Sequence, residues 1–240
     1  MKKKTKAIIA LGTAAVLIGG IAAYKNKNLF KKHSSEPDYR TEKQIKYAKE
    51  LETAKKGEVV FFGDSITDHC DLNKYYPEFT TYNRGISGDT THHLLERMNN
   101  VYELEPSVVV LLIGVNDFMN ESRPLEDVEA DYEKIVIGLK DNLPNAKIIL
   151  ESVYPGYDGG FKLDKWQDNI RKLNETIKGY CEKYDCIYAD IYPFLLDKET
   201  NKLDQRYTYD GCHPSDEGYE VISRELTPYI REAYKIANNK

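Results

Sequence analysis

The sequence predicts an α/β protein built on a three-layer, doubly wound parallel sheet of five strands. Short apolar runs alternate along the chain with longer stretches whose apolar residues recur at helical spacing. Residues 107–113 are apolar almost without interruption, which is typical of a strand that a parallel sheet buries on both faces. Alternating strand and helix patterns imply parallel strands joined by right-handed crossovers. The 240 residues suffice for one such domain and an N-terminal appendage.

The chain begins with a basic stretch that is followed by an apolar one. Residues 7–24 carry no charge and have lysines on both sides. About 18 residues at ~1.5 Å each just cross a ~30 Å hydrocarbon layer, so we expect membrane contact through residues 7–24. Residues 1–25 are either a cleaved signal peptide or an uncleaved transmembrane anchor, and the length of the run favours the anchor. Both alternatives predict export, with the protein anchored at the cell surface or, if the segment is cleaved, secreted.

Residues 26–56 are expected to connect this segment to the globular part. Residues 26–38 are polar and contain Pro37, which is typical of a linker. A charged lead-in helix is predicted at 39–56, with Ile45 and Leu51 on one side, and it ends at Gly57. Residues 57–240 then form the predicted α/β domain, in which no internal boundary is visible.

The predicted strands of this domain are short runs rich in apolar and β-branched residues. They cover residues 58–62, 81–84, 107–113, 146–153 and 187–191. Helices are predicted between and after the strands, at 90–102, 125–142, 165–183 and 215–236. In the last of these Val221, Leu226 and Ile230 recur at helical spacing, which indicates a face that is buried on the sheet.

The charge and the composition give no indication of a nucleic-acid-binding protein or of a zinc protein. The net charge of −5, from 34 basic and 39 acidic residues, gives no sign of a nucleic-acid partner. The four cysteines form no CxxC pair and no cluster with zinc spacing. Cys181 and Cys186 could form a disulfide in an oxidising compartment, or all four are free thiols. We expect no metal, since the adjacent His92 and His93 should point apart on a helix; the sequence does not predict the oligomeric state.

The first predicted strand ends in Gly63-Asp64-Ser65. Gly63 lets the backbone turn sharply because it has no Cβ. A serine at the carboxyl end of a parallel strand is a candidate nucleophile, because open α/β sheets bind their ligands at that edge. A helix N-cap is an equally good interpretation of Ser65 on this stretch alone.

Three further polar clusters are expected at the same edge of the sheet. They are residues 83–89 after the second strand, 114–117 after the third, and 210–214 before the last helix. Each cluster alone could be a simple turn or a helix cap. Together they supply the nucleophile, base, orienting carboxylate and oxyanion donors that acyl transfer requires.

The ordered blocks GDSIT, NRGISGDTT, GVND and DGCHPS resemble those of the SGNH hydrolases, also called GDSL-type esterases or lipases. The resemblance covers roughly residues 59–229, and the first block has Ile where the family name has Leu. It implies the flavodoxin-like sheet of that family, the activity of a carboxylic ester hydrolase, and no cofactor.

The resemblance also implies the roles of individual residues. Ser65 would be the nucleophile, His213 the base that takes its proton, and Asp210 the carboxylate that orients the imidazole. The oxyanion hole would consist of the backbone N–H groups of Ser65 and Gly88 and the side-chain amide of Asn116.

The expected substrate is a small-molecule or glycan ester with a short acyl group, foremost acetyl. The compact domain has no long apolar insertion that could serve as a lipid-binding lid, and export would place it near cell-wall glycans. A lysophospholipase or lipase that acts on longer acyl chains is the alternative. A third hypothesis, from a different functional class, is a non-catalytic, flavodoxin-like binding module.

Overall fold

The computed structural model describes residues 38–157 and 163–238, and the chain from Tyr39 onwards forms one compact unit. Within the described residues, five parallel strands make a sheet of order β2-β1-β3-β4-β5. The strands are β1 (Val59–Gly63), β2 (Thr81–Gly85), β3 (Val108–Leu112), β4 (Lys147–Glu151) and β5 (Ile187–Ala189). The predicted five-stranded, doubly wound parallel sheet is therefore confirmed.

The α-helices of the described residues lie before, between and after these strands. They are α1 (Tyr39–Glu50), α2 (Ser65–Asp68), α3 (Leu72–Tyr75), α4 (Thr91–Glu96), α5 (Asn99–Tyr102), α6 (Val115–Met119), α7 (Leu125–Asn142), α8 (Gln167–Tyr184) and α9 (Asp216–Asn238). Short 3₁₀ turns occur at Leu163–Trp166, Tyr192–Leu195 and Gln205–Tyr207.

The strand order reverses at β1, the first strand in sequence, which lies between β2 and β3. Right-handed crossovers in opposite directions from this point place helices on both faces of the sheet. On one face α9 packs against β3, β4 and β5, and on the other α7 packs against α4 and α8. In such a sheet the crevice for a ligand lies at the carboxyl ends of the strands that flank the reversal, here β1 and β3.

The two central strands carry the core. All five residues of β1 and all five of β3 are buried, as the uninterrupted apolar run at 107–113 predicts. β2 is an edge strand, and its first three residues are only half-buried. The sheet is thus most completely buried at β1 and β3, the strands that lead to the predicted site.

Several elements end earlier than the sequence predicts. The predicted strand at 187–191 stops at Ala189, since the hydroxyl of Ser152 accepts hydrogen bonds from the N–H groups of Ile191 and Tyr192 at 2.9 and 2.8 Å. The lead-in helix ends at Glu50 rather than at residue 56. The helix predicted at 90–102 is interrupted at Arg97, which leaves helical geometry.

No helix among residues 38–157 and 163–238 is long and apolar enough to cross a membrane. The membrane segment predicted at residues 7–24 lies outside the described residues and stays a prediction.

All four cysteines are free thiols, so the bridge considered between Cys181 and Cys186 is not formed.

Candidate active site

Ser65 is separated from the end of β1 by Asp64 and is the first residue of α2. The carboxylate of Asp64 caps this helix by accepting a hydrogen bond from the N–H of Ile66 at 3.0 Å. The N-cap interpretation of Ser65 is therefore wrong, because Asp64 holds that position and leaves the serine hydroxyl for other contacts. As the first helical residue, Ser65 has a backbone N–H without a partner inside the helix.

A chain of hydrogen bonds joins the three residues of the predicted triad. The Oγ of Ser65 lies 2.9 Å from Nε2 of His213, and Nδ1 of His213 lies 2.6 Å from Oδ2 of Asp210. Burial alone would raise the pKa of Asp210, but the hydrogen bonds from the side chain and backbone of His213 lower it below its ordinary value. An ionised carboxylate can only accept, so Nδ1 carries the proton and Nε2 presents its lone pair to the serine hydroxyl.

The turn at 210–213 fixes the position of the Asp210 carboxylate relative to the imidazole of His213. Oδ1 of Asp210 accepts hydrogen bonds from the backbone N–H groups of Cys212 and His213, at 2.9 and 2.8 Å. Gly211 adopts φ +94°, a left-handed conformation that favours glycine. The hydroxyl of Thr208 donates to the carbonyl of His213 at 2.8 Å and closes the turn. One aspartate thus shapes the loop with one oxygen and orients the imidazole with the other.

The predicted oxyanion donors come from three elements at the same sheet edge. Asn116, in α6 after β3, is buried, and its Nδ2 donates to the carbonyl of Asp89 at 2.9 Å. The side-chain amide of Asn120 donates to Oδ1 of Asn116 at 3.0 Å, which fixes Nδ2 as the group that faces Asp89. An amide nitrogen has two hydrogens, so one stays available to a substrate oxygen. Gly88 is exposed and adopts φ +83°, a conformation that favours glycine.

The sequence did not predict the buried ion pair that supports this edge. Asp89 and Arg97 are both buried, and Nε of Arg97 donates to Oδ2 of Asp89 at 2.6 Å. The two terminal nitrogens of the same guanidinium donate to the carbonyls of Arg84 and Gly63, each at 2.9 Å. Arg97 therefore connects the ends of β1 and β2 with the loop that carries Gly88. Arg97 lies eight positions after Asp89, and no pattern in the sequence indicates that they pair.

The other two acidic residues of the blocks, Asp64 and Asp117, hold local structure in place. Asp117 accepts hydrogen bonds from the backbone and hydroxyl of Thr91 and pairs with Arg123 at 2.7 Å. Asp64 is fully buried, and burial raises its pKa to about 7. Neither carboxylate belongs to the hydrogen-bonded chain of Ser65.

Two aromatic residues that the sequence did not single out flank the catalytic imidazole. The ring of Tyr209 stacks on that of His213 with centroids 5.9 Å apart, and Tyr209 is 64% exposed. The ring centroid of His69 lies 5.4 Å from that of His213, and Nε2 of His69 is 3.2 Å from Oγ of Ser87. Both side chains therefore lie next to the imidazole that contacts Ser65.

The expectation that His92 and His93 point apart is wrong. Their rings lie 4.1 Å apart, and the Nδ1 atoms of both are within 3.0 Å of the Thr90 hydroxyl, because the pair sits in the first turn of α4. Among the described residues, His92, His93 and Glu121 form a group that could hold a metal ion. Thr90 already occupies both Nδ1 atoms, and the absence of a metal stays a prediction.

Comparison with known proteins places this geometry in a family. The sequence profile of the GDSL-like lipase/acylhydrolase family matches residues 61–221. Platelet-activating factor acetylhydrolase IB subunit alpha2 of Rattus norvegicus is 31% identical over 185 residues, which cover 74% of this chain and 78% of that protein.

Solved structures of the family have the same fold. A GDSL-like lipase from Bacteroides thetaiotaomicron is 26% identical, with a TM-score of 0.71 over 79% of this chain and 97% of its own. An acetylxylan esterase from Geobacillus stearothermophilus is 25% identical, with a TM-score of 0.58 over 75% of this chain and 95% of its own. The chain belongs to the GDSL-like lipase/acylhydrolase family, the SGNH hydrolases, and is a carboxylic ester hydrolase.

Proposed function

We propose that this protein hydrolyses small acyl esters, foremost acetyl esters on carbohydrates, through an acyl intermediate on Ser65. The observation that carries the proposal is the hydrogen-bonded chain from Ser65 through His213 to Asp210, with distances of 2.9 and 2.6 Å. A serine hydroxyl is a weak nucleophile, and a neighbouring imidazole that accepts its proton activates it. Asp210 is the carboxylate that keeps this imidazole in the required tautomer.

The reaction follows from these contacts in two steps. Oγ of Ser65 attacks the carbonyl carbon while Nε2 of His213 takes the hydroxyl proton. The tetrahedral oxyanion accepts hydrogen bonds from the N–H groups of Ser65 and Gly88 and from Nδ2 of Asn116. The ester C–O bond then breaks, and the leaving alkoxide receives the proton from Nε2. Water repeats the sequence on the acyl-serine, which releases the carboxylic acid and restores the hydroxyl.

The preference for acetyl esters draws support from the relatives. One similar protein is named an acetylhydrolase and another an acetylxylan esterase. Both names describe the removal of an acetyl group, although from different parent molecules. The exposed ring of Tyr209 beside His213 offers an apolar face to the alcohol portion of a substrate.

We also propose that the enzyme acts outside the cytoplasm, held at the membrane through residues 7–24 or secreted after their removal. The uncharged run with flanking lysines is the feature that supports export. Fractionation of cells that express the full chain, with the N-terminal residue of the mature protein determined, tests this placement. Recovery of the protein with an intact N-terminus in the cytosolic fraction would contradict it.

The ester preference is tested with nitrophenyl esters from acetate to palmitate, together with O-acetylated xylo-oligosaccharides. We expect the highest kcat/KM on acetate, release of acetate from the saccharide, and loss of both activities in Ser65→Ala. Ester hydrolysis that survives Ser65→Ala would refute the nucleophile assignment. A preference for long acyl chains would instead identify a lipase or lysophospholipase.

A further inference from the structure

Helix α1 lies before residues 61–221, the part of the chain that matches the family profile, yet its side chains contact Asp68 and Asp89, two residues beside the predicted oxyanion hole. We propose that Arg40 and Lys43 of α1 are positioning residues that hold the Gly88 loop in its catalytic geometry. This role rests on the proposed esterase function, because it concerns the donors that stabilise the oxyanion. Neither side chain belongs to the hydrogen-bonded chain of Ser65, so both act through the residues that they contact.

Arg40 pairs with the residue that follows Gly88. Its Nη2 lies 2.7 Å from Oδ1 of Asp89, and the Asp89 side chain is fully buried while that of Arg40 is 32% exposed. Arg97 binds the other carboxylate oxygen, so Asp89 lies between two guanidinium groups. The carbonyl of the same residue accepts the amide of Asn116. Arg40 thus contacts Asp89, which is hydrogen-bonded to the predicted oxyanion donor Asn116 and follows the predicted donor Gly88 in the sequence.

Lys43 acts on the residue that precedes Gly88, through Asp68. The ammonium of Lys43 and the hydroxyl of Tyr39 both contact the carboxylate of Asp68, the last residue of α2. Oδ2 of Asp68 accepts hydrogen bonds from the backbone N–H of Ser87 at 3.1 Å and from its hydroxyl at 2.8 Å. Asp68 therefore links α2, the helix that begins with the nucleophile, to the loop of Gly88. The ion pair with Lys43 keeps the Asp68 carboxylate in the position that makes this link.

The helix itself is firmly seated on the edge strand β2. The hydroxyl of Tyr47 donates to the carbonyl of Gly85, and Glu50 pairs with the fully buried Arg84. The guanidinium of Arg84 lies 4.5 Å from the ring centroid of Tyr47, within range of a cation–π contact. These contacts fix the position of α1 on β2, and therefore also the positions of Arg40 and Lys43 relative to the loop of Gly88.

Gly88 depends on its neighbours because it is exposed and no atom packs where its side chain would be. A Cβ built at Gly88 would meet no atom within 4 Å, and the residue is exposed with φ +83°. Its position is therefore determined by Ser87 and Asp89, each of which is held by a contact that leads to α1. A small displacement of an oxyanion donor lowers the rate without weakening substrate binding, since the donor acts on charge that develops in the transition state.

The test uses the full chain and the variants Arg40→Met, Lys43→Met and their combination. Each single change should lower kcat about tenfold on nitrophenyl acetate and leave KM within about twofold, less than the loss of a complete donor. The double variant should lose more than either single variant. Arg40→Lys and Lys43→Arg should regain most of the activity because they restore the charge. Lys46→Met is the matched control, since Lys46 is exposed on the same helix.

A second readout does not depend on catalysis. Amide hydrogen exchange of residues 87–89 should be faster in Arg40→Met and Lys43→Met than in wild type, and unchanged in Lys46→Met. Unchanged exchange and unchanged kcat would overturn the inference, as would a lower unfolding temperature with kcat intact or a rise in KM alone. A wild-type protein that hydrolyses no ester would refute the proposed function, while the exchange measurement would still decide whether α1 holds the loop.

Discussion

The side-chain amide of Asn116 donates a hydrogen bond to the carbonyl of Asp89 at 2.9 Å, although 27 positions separate the two residues. This contact joins the loop after β3 to the loop after β2, across the end of β1. The nucleophile Ser65 lies between these two loops in the strand order. The three predicted oxyanion donors are therefore tied together by a network that includes Asp89 and Arg97.

Replacing Asn116 by alanine should remove one oxyanion donor. We expect kcat to fall by about 10²–10³ with little change in KM, since the lost hydrogen bond forms mainly in the transition state. Steady-state kinetics on nitrophenyl acetate measure both constants. Asn73→Ala is a control, because Asn73 is an exposed residue of α3. A variant that raises KM and keeps kcat would place Asn116 in substrate binding instead.

Asp210→Asn should separate the two tasks of this aspartate. The amide oxygen of asparagine can still accept the N–H groups of Cys212 and His213, so we expect the turn and the unfolding temperature to be retained. Its NH₂ group would face Nδ1 of His213 and favour the wrong tautomer, which costs about 10⁴ in kcat in the serine triad. Kinetics combined with thermal unfolding test this pair of outcomes. A clear loss of thermal stability would contradict the assigned separation of roles.

The sequence predicted the sheet well because β1 and β3 are buried on both faces. Their uninterrupted apolar runs leave little choice of structure, and the residues of the first and third blocks follow these two strands. The ends of the weaker elements were predicted less well, since side chains such as that of Ser152 terminate β5 by replacing backbone partners. Such contacts form only after the chain has folded.

The support of the site could not be read from the sequence for a related reason. Arg40, Asp68 and Arg97 are ordinary charged residues at positions that are far apart in the chain. Charged residues are usually solvated, so neither their type nor their spacing indicates that Asp89 is buried between two guanidinium groups. Tertiary structure alone brings them together, whereas the triad residues carry recognisable local motifs.

Two glycines of long helices should respond to alanine in opposite ways. Gly218 lies in the first turn of α9, where a Cβ would be 2.2 Å from the carbonyl oxygen of Tyr207, so Gly218→Ala forces the loop that leads to Asp210 to move. Gly179 lies inside α8 with no atom within 4 Å of a built Cβ, and Gly179→Ala should stabilise the protein by about 0.5–1 kcal/mol. Denaturant unfolding measures both changes. We expect Gly218→Ala to lower stability and activity together; wild-type activity in this variant would contradict the close packing of α9.

The last prediction concerns Glu151, a buried carboxyl group at the end of β4. Burial raises its pKa from the ordinary 4.5 to about 7, while the hydroxyl of Tyr154 donates to it at 2.6 Å. Between these two pH values the folded protein keeps a proton that the unfolded chain releases. The free energy of unfolding therefore falls as the pH rises from about 4.5 to 7. Above pH 7 it has lost the full contribution of this group and falls no further on its account.

Glu151→Gln removes this titration and keeps an oxygen that can accept the Tyr154 hydroxyl. The variant should match wild type near pH 4 and be more stable at pH 8 by roughly 3 kcal/mol, which is the shift converted at 1.36 kcal/mol per pKa unit. Urea unfolding across this pH range gives the difference directly. Glu182→Gln serves as the control, because Glu182 is exposed and its replacement should leave the pH dependence as it is. A stability difference that is the same at pH 4 and pH 8 would mean that Glu151 has the same pKa in the folded and the unfolded protein, which would contradict the effect assigned to burial.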